Sequence, residues 1–252
     1  MVLQYASDLH LEFPQNKEFL KANPLLPKGD VLLLAGDIVP FAIMDKHNDF
    51  FDYVSDNFKT TYWLPGNHEY YYYDAAKRGG MLNEQIRDNV FLVNNTSIKH
   101  GNTNLIFSTL WSKISLEHQW QIERGMSDFQ VIKFNGNRFS SNHFNQLHEE
   151  SLSFIKQELL DNNSENLVMV SHHVPTFMNY PERYKGSALS DAFTVELFNL
   201  IETSNINYWI YGHHHQNTPD FEIGATKLIT NQLGYVKNNE HLLFDPNKII
   251  NV

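Results

Sequence analysis

Five short apolar runs each end in a cluster of polar residues, and this repeat constrains the fold more than any other feature of the chain. Val2–Ala6 runs into Ser7-Asp8-Leu9-His10, and Val31–Ala35 into Gly36-Asp37. Tyr62–Leu64 is followed by Pro65-Gly66-Asn67-His68-Glu69. Leu167–Val170 ends at Ser171-His172-His173, and Tyr208–Tyr211 at Gly212-His213-His214-His215. Runs of this length, closed by turn-forming residues, read as buried strands. Asp8, Asp37 and Asn67 are spaced by about 30 residues, the length of one strand–helix–strand unit. Alternating strands and helices predict an α/β fold. In such folds the carboxyl ends of neighbouring strands converge on one sheet edge, where ligands bind.

Between the strands the spacing predicts helices over Met44–Phe58 and Ala75–Ile86. A further helix is expected from Phe144, with Leu147, Phe154, Ile155 and Leu159 on one face and Ser140 or Ser141 as its cap. Ser190 is the expected cap of another, carrying Phe193, Leu197, Leu200 and Ile201. Phe221–Ile223 and Lys227–Thr230 flank Gly224 as a hairpin, and a last short strand is expected near Leu242–Phe244. The stretch 114–138 lacks clear periodicity and reads as an excursion near the mouth of the site. No repeat, low-complexity tract or linker divides the chain, so residues 1–252 are expected to form one domain.

Composition removes several classes. The chain has no cysteine, which excludes disulfides, thiolate zinc sites and cysteine nucleophiles. No apolar run approaches the roughly 20 residues of a membrane span. The N-terminus lacks a basic region followed by an apolar stretch, so a cytoplasmic protein is expected. With 19 basic and 29 acidic residues the net charge is −10, which argues against non-specific binding to nucleic acid. A phosphate substrate remains compatible, because bound metal ions invert the local field.

In chain order the strand ends supply Asp8 and His10, Asp37, Asn67 and His68, His172, then His213 and His215. Carboxylate, imidazole and amide oxygen together suit borderline cations such as Mn, Fe, Zn or Ni. One carboxylate can join two metals about 3.5–4 Å apart, and such a pair activates water for in-line attack on phosphorus. Any one of these pieces is weak evidence, since an Asp after a strand is more often a cap. All five in order, each closing an apparent strand, form a strong signal.

On these motifs the chain resembles the calcineurin-like metallophosphoesterase superfamily, from Asp8 to about Tyr235. It looks closest to a bacterial subgroup of predicted phosphohydrolases, through Tyr-Ala-Ser-Asp-Leu-His-Leu-Glu-Phe at the start, Leu110-Trp111, Met126-Ser127-Asp128-Phe129 and Gly234-Tyr235. The resemblance implies a two-sheet sandwich flanked by helices and a centre of two divalent metal ions. It implies that Asp8, His10 and His215 hold one ion, that Asp37 bridges, and that Asn67, His172 and His213 complete the other. It implies that His68 binds no metal, steadies the scissile phosphate and protonates the leaving oxygen, after attack by a metal-bridging hydroxide. Where many members carry Asp after the Gly-Asn-His histidine, this chain has Glu69, which leaves the partner of His68 open.

Other conspicuous residues carry bland expectations. Side-chain alternation turns His173 and His214 away from the metals, toward packing or supporting roles. The remaining histidines, His47, His100, His118, His143, His148 and His241, match no ligand spacing and are expected at the surface. Tyr70–Tyr73 reads as packing ahead of a base-stacking wall, and Arg124, Arg138 and Arg183 as solvated ahead of phosphate clamps. The expected activity is hydrolysis of a small phosphoester, a diester slightly favoured, with a nucleotide-derived substrate in view. A nuclease or nucleotide phosphatase is the enzymatic alternative. A binding scaffold that has lost the reaction is the alternative outside enzymes. The oligomeric state is not encoded in any pattern here.

Overall fold

The computed structural model describes residues 1–162 and 164–252. Its strands, in chain order, are β1 (Val2–Ala6), β2 (Val31–Ala35), β3 (Thr60–Leu64), β4 (Leu82–Arg87), β5 (Val90–Asn94), β6 (Thr96–His100) and β7 (Thr103–Ser108). They continue with β8 (Lys133–Phe134), β9 (Asn137–Arg138), β10 (Asn166–Ser171), β11 (Tyr208–Tyr211), β12 (Phe221–Ile223), β13 (Thr226–Thr230) and β14 (Ile249–Asn251). The helices are α1 (Pro14–Ala22), α2 (Asn48–Asn57), α3 (Gln119–Gly125), α4 (Asp128–Val131), α5 (Ser141–Asp161) and α6 (Phe198–Glu202).

Two mixed six-stranded sheets carry the fold, in the orders β14-β1-β2-β3-β5-β4 and β12-β13-β11-β10-β7-β6. Each has four parallel strands at its centre and one antiparallel strand at either edge. Leu3, Leu33 and Leu64 of the first sheet pack against Phe107, Val170 and Ile210 of the second, all buried. Each such side chain contributes about 1.5–3 kcal/mol on burial. The outer face of the first sheet packs Leu32, Leu34 and Trp63 against Phe51 and Val54 of α2. The outer face of the second packs Met169 and Trp209 against Ile155 of α5 and Ile201 of α6. This is the expected two-sheet sandwich flanked by helices.

The five predicted strands and the β12–β13 hairpin form where expected, and α5 starts behind Ser140, whose Oγ accepts from the His143 N–H. Ala75–Ile86 does not form a helix. A short turn at Ala75–Lys77 gives way to Gly79-Gly80 and then to β4, which pairs with β5. The apolar spacing there mimics a helix, but ladder pairing to a neighbouring strand wins. Four strands between residues 82 and 108 therefore occupy a stretch for which no strand was expected, although Val90–Val93 is itself a short apolar run. The helix over Met44–Phe58 begins only at Asn48, and Ser190 caps no helix but lies inside the tight turn Ala188–Ala192, capped by Ser187, ahead of the short α6. Leu242–Phe244 is not a strand; the last one lies at Ile249–Asn251. The stretch 114–138 holds α3, α4 and most of the β8–β9 ribbon. Two histidines expected at the surface, His47 and His148, are buried. His148 Nδ1 lies 2.6 Å from the Trp111 carbonyl.

Glu69 braces the loops that leave β2 and β3. Its two oxygens accept from the backbone N–H groups of Asp37 (2.9 Å), Ile38 (2.7 Å) and Gly66 (2.7 Å), and from Trp63 Nε1 (2.9 Å). It is fully buried, and burial, then Asp37, pushes its carboxyl up to about 7. Glu69 thus does not partner His68; the extra carbon over Asp lets it reach these four donors. Removing it strands buried N–H groups, each costing about 1–3 kcal/mol. Glu69→Ala should lower the unfolding free energy in urea by about 3 kcal/mol or more, and a loss under about 1 kcal/mol would deny the brace its role.

Candidate active site

All eight residues expected at the site lie just past parallel strands, at one edge shared by both sheets. β1 leads to Asp8 and His10, β2 to Asp37, and β3 to Asn67 and His68. β10 leads to His172, and β11 to His213 and His215. Asp8, His10, Asp37, His213 and His215 all hold left-handed backbone, with φ between 48° and 79°. Such residues cost on the order of 1–3 kcal/mol each and persist only where the surroundings over-determine them. Asp and His tolerate this region better than most residues. Glycines let the backbone approach closely. A Cβ at Gly66 would collide with Asp37 Oδ1 and lie 2.6 Å from His172 Nε2, and one at Gly212 would lie 2.6 Å from Asp8 Oδ2.

Two donor clusters meet at Asp37. One comprises Asp8, His10, Asp37 and His215; the other comprises Asp37, His172 and His213. Asp37 Oδ2 lies 3.7 Å from His10 Nε2, while its Oδ1 lies 3.4 Å from His172 Nε2 and accepts from the His68 N–H at 2.8 Å. Asn67 joins the second cluster, its Oδ1 3.3 Å from His172 Nε2.

The tautomers make these clusters fit a cation. His10 Nδ1 faces Glu12 Oε1 at 3.2 Å, and His215 Nδ1 faces Glu240 Oε2 at 2.9 Å. A carboxylate only accepts, so each Nδ1 carries the proton and each neutral Nε2 is a lone pair. Those two Nε2 atoms face each other at 2.9 Å. In the second cluster His172 Nδ1 donates to the Ala35 carbonyl at 2.9 Å, and His213 Nε2 to the Ala192 carbonyl at 3.4 Å. That leaves His172 Nε2 and His213 Nδ1 as lone pairs 3.1 Å apart. Converging lone pairs beside buried carboxylates require positive charge between them. Supporting carboxylates and carbonyls of this kind orient metal-binding histidines.

Those lone pairs belong to the neutral rings, and without a cation His215 and His172 take a second proton instead. Burial pulls every histidine here toward neutral, yet hydrogen bonding to Asp8 and Glu240 lifts His215 to about 10, and Asp37 lifts His172 to about 9. Without a cation, protons answer the buried negative charge. His10 and His213 instead stay below the usual imidazole range, through burial and neighbouring imidazoles.

His68 belongs to neither cluster. Its Nδ1 lies 2.9 Å from Glu12 Oε1, so Glu12 is the partner that the motif leaves open. Its ring stacks on Tyr71 with centroids 4.0 Å apart, and its Nε2 lies 3.4 Å from the Tyr235 hydroxyl. Burial lowers the affinity of His68 for its proton, but Asp37 and Glu12 outweigh that and raise it. Burial favours a neutral Glu12, yet His10 and His68 hold its carboxyl down at about 2.

Five supporting residues receive no supporting role in the sequence reading. Glu12 follows His10 at the same two-residue spacing that separates Asp8 from His10, and that alternation is the available signal. Asp128 and Tyr235 lie within motifs that carry the resemblance, Tyr71 within the run 70–73, and Glu240 within none of these. Asp128, buried at the start of α4, accepts from Asn67 Nδ2 and from the Tyr71 hydroxyl, each at 3.0 Å. Burial raises its carboxyl, partly offset by His68. His173 and His214 turn away as expected, His173 against Trp111 and Phe144, and His214 toward Gln232. Tyr70 is core, Tyr72 is exposed, and Tyr71 reaches the site.

A cleft of about 290 Å³ opens over both clusters, lined by Tyr71, Met126, Asp128, Tyr184, Phe193 and Tyr235 among others. A larger groove of about 580 Å³ runs past Lys156 and Leu200 and holds none of these groups. Chemistry, not volume, marks the site.

A two-sheet sandwich with adjoining nitrogen and oxygen donor clusters at one sheet edge defines a class of metal-binding hydrolase folds. The pattern of the calcineurin-like phosphoesterases matches residues 5–217, and the chain belongs to that family. The family normally uses divalent metals, and membership supports a phosphohydrolase. The chain is 31% identical over 278 aligned residues to uncharacterized protein L509 of Acanthamoeba polyphaga mimivirus, covering 100% of this chain and 96% of that one. Its fold is similar to phosphopantetheinyl hydrolase from Mycobacterium tuberculosis, with a TM-score of 0.68 at 16% identity over 94% of this chain and 90% of that one. It is also similar to a dimetal phosphatase from Danio rerio, with a TM-score of 0.51 at 13% identity over 92% and 87%. Among the described residues no helix is long and apolar enough to cross a membrane.

Asp128 fixes which end of the Asn67 amide faces His172. Asp128→Ala should weaken Mn²⁺ binding to metal-free protein about 10–100-fold at one of two calorimetric steps. Asp128→Asn keeps an acceptor oxygen and should lose far less. Equal losses for both variants would mean that the amide is oriented by something else.

Proposed function

We propose that this chain is a dinuclear metal-dependent phosphoesterase. Asp8, His10, Asp37 and His215 would hold one divalent ion, and Asp37, Asn67, His172 and His213 the other. The observation that carries this reading is the pair of lone-pair clusters sharing the two oxygens of Asp37. The imidazole, carboxylate and amide donors suit Mn, Fe, Zn or Ni. When bound, two such ions supply an activated water and neutralise the phosphoryl oxygens.

The chain's own residues do the rest. Asp37 and Asn67 position the donors, and glycines at 36, 66 and 212 leave room for them. His68, held through Nδ1 by Glu12 and against Tyr71, presents Nε2 to the cleft. The carboxylates that raise its proton affinity keep an acid ready at that nitrogen, which gives the proton to the departing ester oxygen. Glu12 also faces His10, so one carboxylate sets both the ligand tautomer and the acid.

A phosphodiester is favoured over a monoester, and the small cleft fits a small substrate. A nuclease acting on long duplex is disfavoured by the net charge of −10. A scaffold without activity is disfavoured because every ligand position and His68 carry competent side chains. Metal content separates the last case, since a degenerate scaffold should purify with little metal.

Asp37→Asn should sharply cut metal occupancy measured by elemental analysis, and full occupancy in the variant would refute the bridge. His68→Ala should keep both ions and lose about 10²–10⁴ in turnover of bis-p-nitrophenyl phosphate with Mn²⁺. Unchanged turnover would remove His68 from the reaction.

A further inference from the structure

Among the described residues that line the cleft there is no lysine and no arginine. The cations that flank the lining segments, Arg124, Arg183, Lys185 and Lys237, are exposed. Arg183 lies over the ring of Tyr184 at 4.5 Å, and Lys237 over that of Tyr235 at 5.8 Å. Carboxylates are plentiful instead. Asp37, Asp128 and Glu240 line the cleft, and Asp8, Glu12 and Glu69 contact groups in its floor.

The organic surfaces are uncharged on both sides. Near His68 they are the rings of Tyr71 and Tyr235. Near His213 they are Phe193, stacked on its ring at 4.4 Å, with Leu189 and Met126 beside it in the lining. Leu189 and the end of α3 form one continuous wall, since a Cβ at Gly125 would lie 3.3 Å from Leu189 Cδ2.

Resting on the phosphoesterase reading above, we propose that this cleft selects phosphodiester monoanions with uncharged, aromatic or aliphatic arms, and discriminates against monoester dianions and nucleoside polyphosphates. The argument is one of charge. Two divalent ions are largely matched by the carboxylates around them, so little net positive charge remains for the substrate. A diester brings one negative charge, a monoester near neutral pH brings nearly two, and ATP brings about four. Proteins that take the latter commonly supply bidentate arginines or a lysine at the phosphates. Among the described residues the lining offers no lysine or arginine to meet the extra negative charge. Both arms of a diester instead meet apolar surface, where burial stabilises them by about 25 cal/mol per Å².

The test compares kcat/KM of the Mn²⁺-loaded protein for bis-p-nitrophenyl phosphate, p-nitrophenyl phosphate and ATP. The diester should exceed each of the others by at least tenfold. Leu189→Lys, with two ions still bound by elemental analysis, should shift the ATP-to-diester ratio toward ATP by at least threefold. A monoester or ATP rate equal to that of the diester, or a ratio unmoved in Leu189→Lys, overturns the selectivity while leaving a phosphoesterase in place. No turnover of any of the three by protein carrying two ions sinks the phosphoesterase reading itself, and the inference with it.

Discussion

The Asp37 carboxylate is the interaction on which the rest of the structure depends. It is fully buried, and its two oxygens face different histidines, His10 on one side and His172 on the other. An isolated buried carboxylate is untenable, so positive charge must sit beside it. The fold answers with tautomers rather than with lysine or arginine. Glu12, Glu240 and the carbonyls of Ala35 and Ala192 take the imidazole protons on the far sides. Each ring then turns a bare nitrogen inward, and the pocket becomes a cation site through what surrounds it.

That arrangement is costly in backbone terms, and the cost shows where the strands end. Five of the proposed ligand positions adopt left-handed conformations, and three glycines admit side chains that a Cβ would block. Two mixed sheets packed face to face offset this strain, because their buried faces lock the strand ends in place. His172 comes from the second sheet and donates to Ala35 of the first, so the sandwich interface runs through the metal pocket. Stability of the core and geometry of the site are therefore one problem.

Much of this was legible in the sequence, for a physical reason. A parallel strand buried on both faces reads as a continuous apolar run, and functional groups at its end sit immediately after it. β1, β2, β3, β10 and β11 each have that form, so the eight candidate residues that the structure brings to one sheet edge could be listed from the sequence. β4 to β7 do not, because half of their positions face outward or carry polar groups, and β4 even imitates a helix. The supporting carboxylates were hidden for a different reason. Glu240 acts across the fold from a segment with no periodicity, where a lone acid looks like solvated surface, and the motif around Asp128 does not by itself say what its carboxylate holds. Glu69 illustrates the limit most clearly. Its place beside His68 invites a catalytic reading, yet the side chain turns back to hold the loop backbone.

The excursion over 114–138 links two properties that are usually separable. Its Asp128 fixes the Asn67 amide, and through it the donor set shared with His172. Met126, two residues earlier, faces the cleft and forms part of the apolar wall. Residue 127 also lines the cleft between them, so a shift of this short segment moves ligand and wall together. A substitution there that reshapes the cleft for a different ester arm also perturbs Asn67 unless Asp128 stays in register. Substrate range in this chain is therefore more readily altered at Leu189, on the same wall but outside the excursion, than from the excursion itself, whereas a change at Phe193 reaches the ring of His213 on which it stacks. The turn at Ala188–Ala192 bears no metal-facing carboxylate. Asp191, the acid within it, is committed to Ser115 and His118 instead.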